Sequence, residues 1–248
     1  MFSSKNFVPL SQAEKKLSFI SIFIPLLFVI LLGLILSFEI VFKIDLNYLG
    51  INPRTINGLA GIIFMPLLHE NFSHWISNAI PLLVLGFSLI YFYRQVAYKL
   101  ILAIWFFDGL GVWIMARPAL HIGASGLVYG LVSFLLFSGL IRKNKNLLAL
   151  ALTVVVLYGS ILYGVFPIDE SISWEGHLFG FLAGIGGAVY YKNSGPTDDP
   201  IPAWMTEQES DVPNELIDSD ADSENLNSQA IIINYEFKPS SEDSKNKG

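Results

Sequence analysis

Residues 17–38 read LSFISIFIPLLFVILLGLILSF, 22 positions without a charged side chain. The hydrocarbon core of a bilayer is about 30 Å thick, and crossing it as a helix takes roughly 20 apolar residues. Inside hydrocarbon every backbone N–H and C=O must find a partner within the protein, which favours a helix for such a segment. The stretch exceeds the roughly 7–15 residues of a cleavable signal's apolar region, and no A-x-A site follows it. It therefore reads as a retained spanning helix.

Working outward, five more segments have the same character: residues 74–93, 100–116, 122–141, 147–166 and 176–191. The expected fold is all-α, a polytopic membrane protein built from six transmembrane helices. Pro25 and Pro81 fall inside two of them, which membrane helices tolerate. Hydrophobic residues make up 53% of the 248-residue chain and charged ones 15%, against about a quarter charged in a soluble domain. There is no cysteine, which excludes disulfide and thiolate-based sites.

The charges set an orientation. Lys5, Lys15, Lys16, Arg94, Lys99, Arg142, Lys143, Lys145 and Lys192 fall on one set of connections, and Lys43, Arg54 and Arg117 on the other. Nine against three places both termini in the cytoplasm by the positive-inside rule. The net charge of −6 belongs to the end of the chain, since 13 of the 21 acidic residues follow Gly195. The expected organisation is a cytoplasmic segment 1–16, a membrane domain 17–192 and an acidic, disordered cytoplasmic tail 193–248. Between the first two helices runs a long connection, 39–73. Its apolar part, 56–68, suits an interfacial segment, and Gly58, Gly61 and Pro66 interrupt it.

Polar side chains in spanning segments are costly and mark functional sites by default. His74, Asn78, Asp108, Ser125 and His177 are the candidates. With the orientation above, helices two, four and six all run inward. His74 and Asn78 begin helix two, Ser125 begins helix four and His177 begins helix six, so all four share one depth near the outer face. Asp108 is mid-span in helix three and is expected too far inward to join them.

Each candidate has two readings. Ser125, in Gly123-Ala124-Ser125-Gly126, is a nucleophile beside helix-start amides that can stabilise an anion, or a small helix-packing element. His177, Gly180 and Gly184 share a helical face. That face would bring His177 against Ser125 as its base, or merely pack a histidine beside a small-residue contact. His74 and Asn78, four residues apart, are oxyanion donors, or an interfacial histidine and a capping residue. His69-Glu70-Asn71-Phe72-Ser73-His74 fails as a zinc motif, because its histidines are five apart rather than four. Glu175 points away from His177 on the same turn and takes no role.

Together these motifs resemble the rhomboid family of intramembrane serine proteases. His69, His74 and Asn78 match its H-x4-H-x3-N pattern. Gly123 to Gly126 match its G-A-S-G motif, with Tyr129 one turn later. His177, Gly180 and Gly184 match its G-H-x2-G-x3-G pattern. The resemblance implies a rhomboid-like six-helix bundle and a Ser–His dyad without a carboxylate. Ser125 would attack the scissile carbonyl, and His177 would move the proton. His74, Asn78 and the Ser125 amide would hold the oxyanion, and Tyr129 would pack on His177. Implied substrates are membrane proteins with a transmembrane segment, met in the lipid bilayer of the cell membrane. No metal, organic cofactor or nucleic-acid partner is expected. The Trp-Arg pair that many bacterial members carry in the long first connection is missing, which leaves that loop's anchoring open. The rival readings are a catalytically inactive relative that binds or escorts membrane proteins, and a small transporter, for which Asp108 is the best argument.

Overall fold

The computed structural model describes residues 12–157, 164–169 and 172–196. The reading of the acidic tail beyond residue 196, and of the first eleven residues, lies outside the described residues. The fold is all-helical. The helices are α1 (Gln12–Phe42), α2 (Phe72–Phe92), α3 (Ala97–Met115), α4 (Ser125–Ile141), α5 (Lys145–Leu157) and α6 (Trp174–Tyr190).

Three helices, spanning Lys15–Phe42, Phe72–Phe92 and Ala97–Met115, are long and apolar enough to cross a membrane. Helices α4 and α6 are shorter, 17 residues each, or about 26 Å at the helical rise. The fourth segment was expected to begin at Ile122. It begins three residues later, because Gly123 takes φ +111° and breaks the helical run. The fifth was expected to continue to Phe166. Residues 164–168 form turns instead, and 158–163 lie outside the described residues.

Helix α4 is the centre of the bundle, with every residue from Gly126 to Leu135 buried. Its most extensive partner is α6. The buried positions of α6 include Gly176, His177, Gly180, Gly184 and Ala188, spaced for one face. A Cβ on Gly180 would overlap the Gly126 carbonyl, and one on Gly184 would overlap the Gly130 carbonyl and the Ser133 hydroxyl. Small residues let two backbones touch where lipid supplies no hydrophobic drive between helices. Helix α3 packs on the other side of α6, and α1 packs on α2. In the α1–α2 contact the Trp75 indole donates to the Val29 carbonyl at 3.2 Å. The outward side chains of α1, among them Phe19, Leu27, Leu34 and Phe38, are large, apolar and exposed, as a lipid-facing surface requires.

The connection between α1 and α2 is irregular, with one helical turn at Gly61–Phe64 between 3-10 turns at Asn57–Leu59 and Met65–Leu67. It is anchored to α3. Trp105 Nε1 donates to the Ile62 carbonyl at 3.0 Å and Trp113 Nε1 to the Thr55 carbonyl at 2.9 Å. Arg54 donates from its backbone to Trp113 O at 2.9 Å and from its guanidinium to Ala116 O at 2.7 Å. Indoles of α3 and one arginine thus hold this loop without a Trp-Arg pair inside it.

Candidate active site

Ser125 is the first residue of α4 and His177 lies in the first turn of α6. The glycine contacts between these helices draw them together at this end, and His177 Nε2 stands 2.8 Å from Ser125 Oγ. The imidazole's other nitrogen, Nδ1, is 2.7 Å from the carbonyl oxygen of Gly164. A carbonyl can only accept, so Nδ1 carries the proton of the neutral ring. Nε2 then presents its lone pair to the serine, and Ser125 donates to it. Tyr129, one turn after Ser125, lies flat on the imidazole with ring centroids 4.1 Å apart and planes 10° from parallel. The ring is held on both its edge and its face, and His177 is 8% exposed.

Helix α2 brings the other candidates. Asn71 caps it, its side chain accepting from the His74 amide at 2.9 Å. His69 therefore precedes the helix while His74 lies within it, and the two rings meet edge to face at 5.1 Å. Burial, reinforced by the neighbouring His74, lowers the pKa of His69 to about 4. The His74 ring lies over Gly123. A Cβ there would stand 2.7 Å from His74 Nε2 and 3.9 Å from Ser125 Oγ. Only glycine fits this position, both for its positive φ and for that close approach. Asn78 is buried and donates from its amide to the His74 carbonyl at 3.1 Å. An amide nitrogen carries two hydrogens, so this bond does not exhaust it.

His74, Asn78, Ser125, Tyr129 and His177 all line one open cavity of about 610 Å³. Gly164 also lines it, as do Arg117, His121 and Ser173. Gly180 and Gly184 lie deeper, in the α4–α6 contact.

Asp108 is not among the residues that line this cavity. Its fully buried carboxylate rests against Gly126, the residue next to Ser125, and a Cβ on Gly126 would overlap it. Among the described residues neither oxygen has a hydrogen-bond partner. Position 108 thus lies beside the first turn of α4. Glu175 does point away from the dyad, but into an ion pair with Arg117 at 3.0 Å. Sequence reasoning passed over Gly164, Arg117, His121 and Ser173. All are in or beside connections, where no periodicity marks which residues meet.

An all-helical membrane protein with a serine and a histidine in contact at the mouth of a glycine-tight helix pair defines a narrow class. The rhomboid domain model matches residues 57–193, more than half of the chain, and the protein belongs to the rhomboid family. Curated relatives include uncharacterized proteins of Mycobacterium tuberculosis and Mycobacterium bovis. Each is 40% identical over 152 residues, covering 58% of this chain and 62% of the relative. An uncharacterized protein of Mycobacterium leprae is 34% identical over 170 residues, covering 64% of this chain and 67% of the relative. This chain thus matches less than two thirds of the length of the first two.

Proposed function

We propose that this chain is an intramembrane serine endopeptidase that cuts transmembrane segments of membrane proteins. The observation that carries the reading is the relay from Ser125 Oγ to His177 Nε2, with Nδ1 tied to the Gly164 carbonyl. A serine hydroxyl is too weak an acid to ionise unaided, and a neutral imidazole aimed at it supplies the base. The Gly164 carbonyl does what a carboxylate does in a triad: it holds the tautomer and the ring orientation.

In this reading Ser125 attacks the scissile carbonyl while His177 Nε2 takes its proton. His74, the amide of Asn78 and the backbone amide at the start of α4 stabilise the oxyanion. His177 then gives the proton to the leaving amine. A water enters through the open cavity and attacks the acyl carbonyl while His177 takes its proton; His177 then returns that proton to Ser125 Oγ as the acyl–Oγ bond breaks and the carboxyl product leaves. Tyr129 limits the tilt of the ring, and Gly123, Gly180 and Gly184 permit the close approaches that align the pair. No metal or organic cofactor takes part. Substrate reaches the site within the bilayer.

The same reading assigns residues 17–192 to a six-helix membrane domain. It puts both termini in the cytoplasm, the cavity near the outer face and an acidic tail from 193 onward. The nine-to-three basic asymmetry supports this orientation. The shortness of α4 supports a recessed serine.

The test is a fluorophosphonate probe applied to folded protein in detergent, with Ser125→Ala and His177→Ala alongside. Labelling of the wild type and of neither variant supports the dyad. A folded wild type left unlabelled by this and a second class of serine probe sinks the reading and favours an inactive binding protein.

A further inference from the structure

Beyond the dyad, one cluster of buried and half-buried charges remains unused by the chemistry. It joins the segment leading into Ser125 to the first turn of the helix carrying His177. Glu175 is 3% exposed. Its Oε1 accepts from the backbone amide of Arg117 at 3.1 Å and from Nη1 at 3.2 Å, and Oε2 accepts from Nη1 at 3.0 Å. The other arm of the guanidinium, Nη2, donates to the Ile172 carbonyl at 2.8 Å. Arg117 thus grips the start of α6 with both main chain and side chain.

Four residues on, the His121 ring makes a second tie. Its Nε2 is 3.1 Å from the Arg117 carbonyl, and its Nδ1 is 2.7 Å from Ser173 Oγ. Since the carbonyl only accepts, Nε2 donates to it and the Ser173 hydroxyl donates to Nδ1. Burial lowers the pKa of His121, which keeps this neutral arrangement near neutral pH. The backbone of the same segment is fixed at two further points. His121 pairs with Ile51 in an antiparallel bridge, and the Gly123 amide donates to Met65 O at 2.9 Å. From Gly123 the chain turns directly into Ser125.

Glu175 and His177 are two residues apart, about 200° around the helix. One turn of α6 is therefore held from one side while it presents the imidazole on the other. We infer that the Arg117–Glu175 pair and the His121–Ser173 bond form a latch that sets the spacing of Ser125 and His177, so that these four are positioning residues for the dyad. The inference rests on the reading of that dyad as catalytic. Its physical basis is the steepness of reactivity with geometry: a displacement of about 1 Å can cost about 100-fold in rate.

The experiment uses the full chain in liposomes with a membrane-embedded peptide substrate. It measures kcat and KM, the rate of fluorophosphonate labelling and hydrogen exchange over residues 117–124. Thermal unfolding checks each variant. Glu175→Gln keeps the size and one acceptor but loses the charge. Arg117→Lys keeps the charge but loses the two-armed grip, and it serves if the Glu175 variant fails to fold. Both are expected to lower kcat and labelling by about 10-fold, to leave KM within about 2-fold and to speed exchange across 117–124. A loss confined to KM would make Arg117 a substrate contact and overturn the latch. Wild-type kcat, labelling and exchange in both variants would also overturn it while leaving the protease reading intact. A folded wild type that neither cleaves nor labels would overturn both.

Discussion

The carbonyl oxygen of Gly126 occupies the space that a Cβ on Gly180 would fill. This contact lies one residue from Ser125 and three from His177, so a backbone contact of the α4–α6 interface bears directly on the separation of that pair. A methyl group there must push the helices apart. Gly180→Ala is expected to destabilise the protein by about 1–3 kcal/mol, the usual cost of overpacking. It is also expected to cut kcat by about 100-fold through misalignment. Thermal unfolding and turnover measured on the same sample check both. An alanine variant of wild-type activity would mean the helices adjust without moving the pair.

Donors aimed at a developing oxyanion act on the rate rather than on binding. On the proposed reading, in which His74 and Asn78 are such donors, His74→Ala and Asn78→Ala are each expected to lower kcat by about 100- to 1,000-fold, with KM little changed. Steady-state kinetics on purified variants decide this. The His74 change should be the clearer of the two, because the His74 ring lies against Gly123, two residues before Ser125, whereas Asn78 also bonds the His74 carbonyl. A rise in KM at constant kcat would reassign either residue to substrate binding.

Stability should depend on pH through His69. Burial and the His74 ring hold its pKa at about 4 in the folded protein, against 6.5 for an ordinary histidine. Between these values the unfolded chain binds the extra proton, so stability rises with pH from about 4 to 6.5 and is flat above. The span corresponds to about 3 kcal/mol at most. Melting temperature measured from pH 4.5 to 7.5 should fall on the acid side in the wild type. His69→Asn should flatten that dependence; an unchanged slope would assign the acid sensitivity elsewhere.

The long first connection is expected to loosen when its indole anchors are removed. Trp113→Phe deletes the bond to Thr55 O, and Trp105→Phe the bond to Ile62 O. Each should cost about 1 kcal/mol and speed hydrogen exchange across residues 52–64. If exchange there is unchanged, the Arg54 contacts suffice to hold the loop.

Much of the site was legible in the sequence because helical periodicity is local. The spacing of His177, Gly180 and Gly184 marks a face that must meet another backbone, and Gly123 to Gly126 mark where it can. Similar reasoning put His74 and Asn78 at the start of α2. The proximity of Ser125 and His177 is in keeping with those patterns, whereas the stack of Tyr129 on His177 was implied by the family resemblance alone. That the Asp108 side chain packs against Gly126 was not legible, because a count along α3 cannot register which residue of α4 it meets.

The sequence by itself determined the helical class, the family and the residues able to carry the chemistry, because apolar length and residue spacing act within one segment. Only the tertiary structure decided that the Gly164 carbonyl orients His177, that Glu175 turns to Arg117 and that Trp105 and Trp113 hold the first connection. These are single contacts between distant stretches of chain, several of them to backbone carbonyls that every residue type possesses. Their partners are selected by how the helices pack, and no pattern of side chains along the chain encodes that choice.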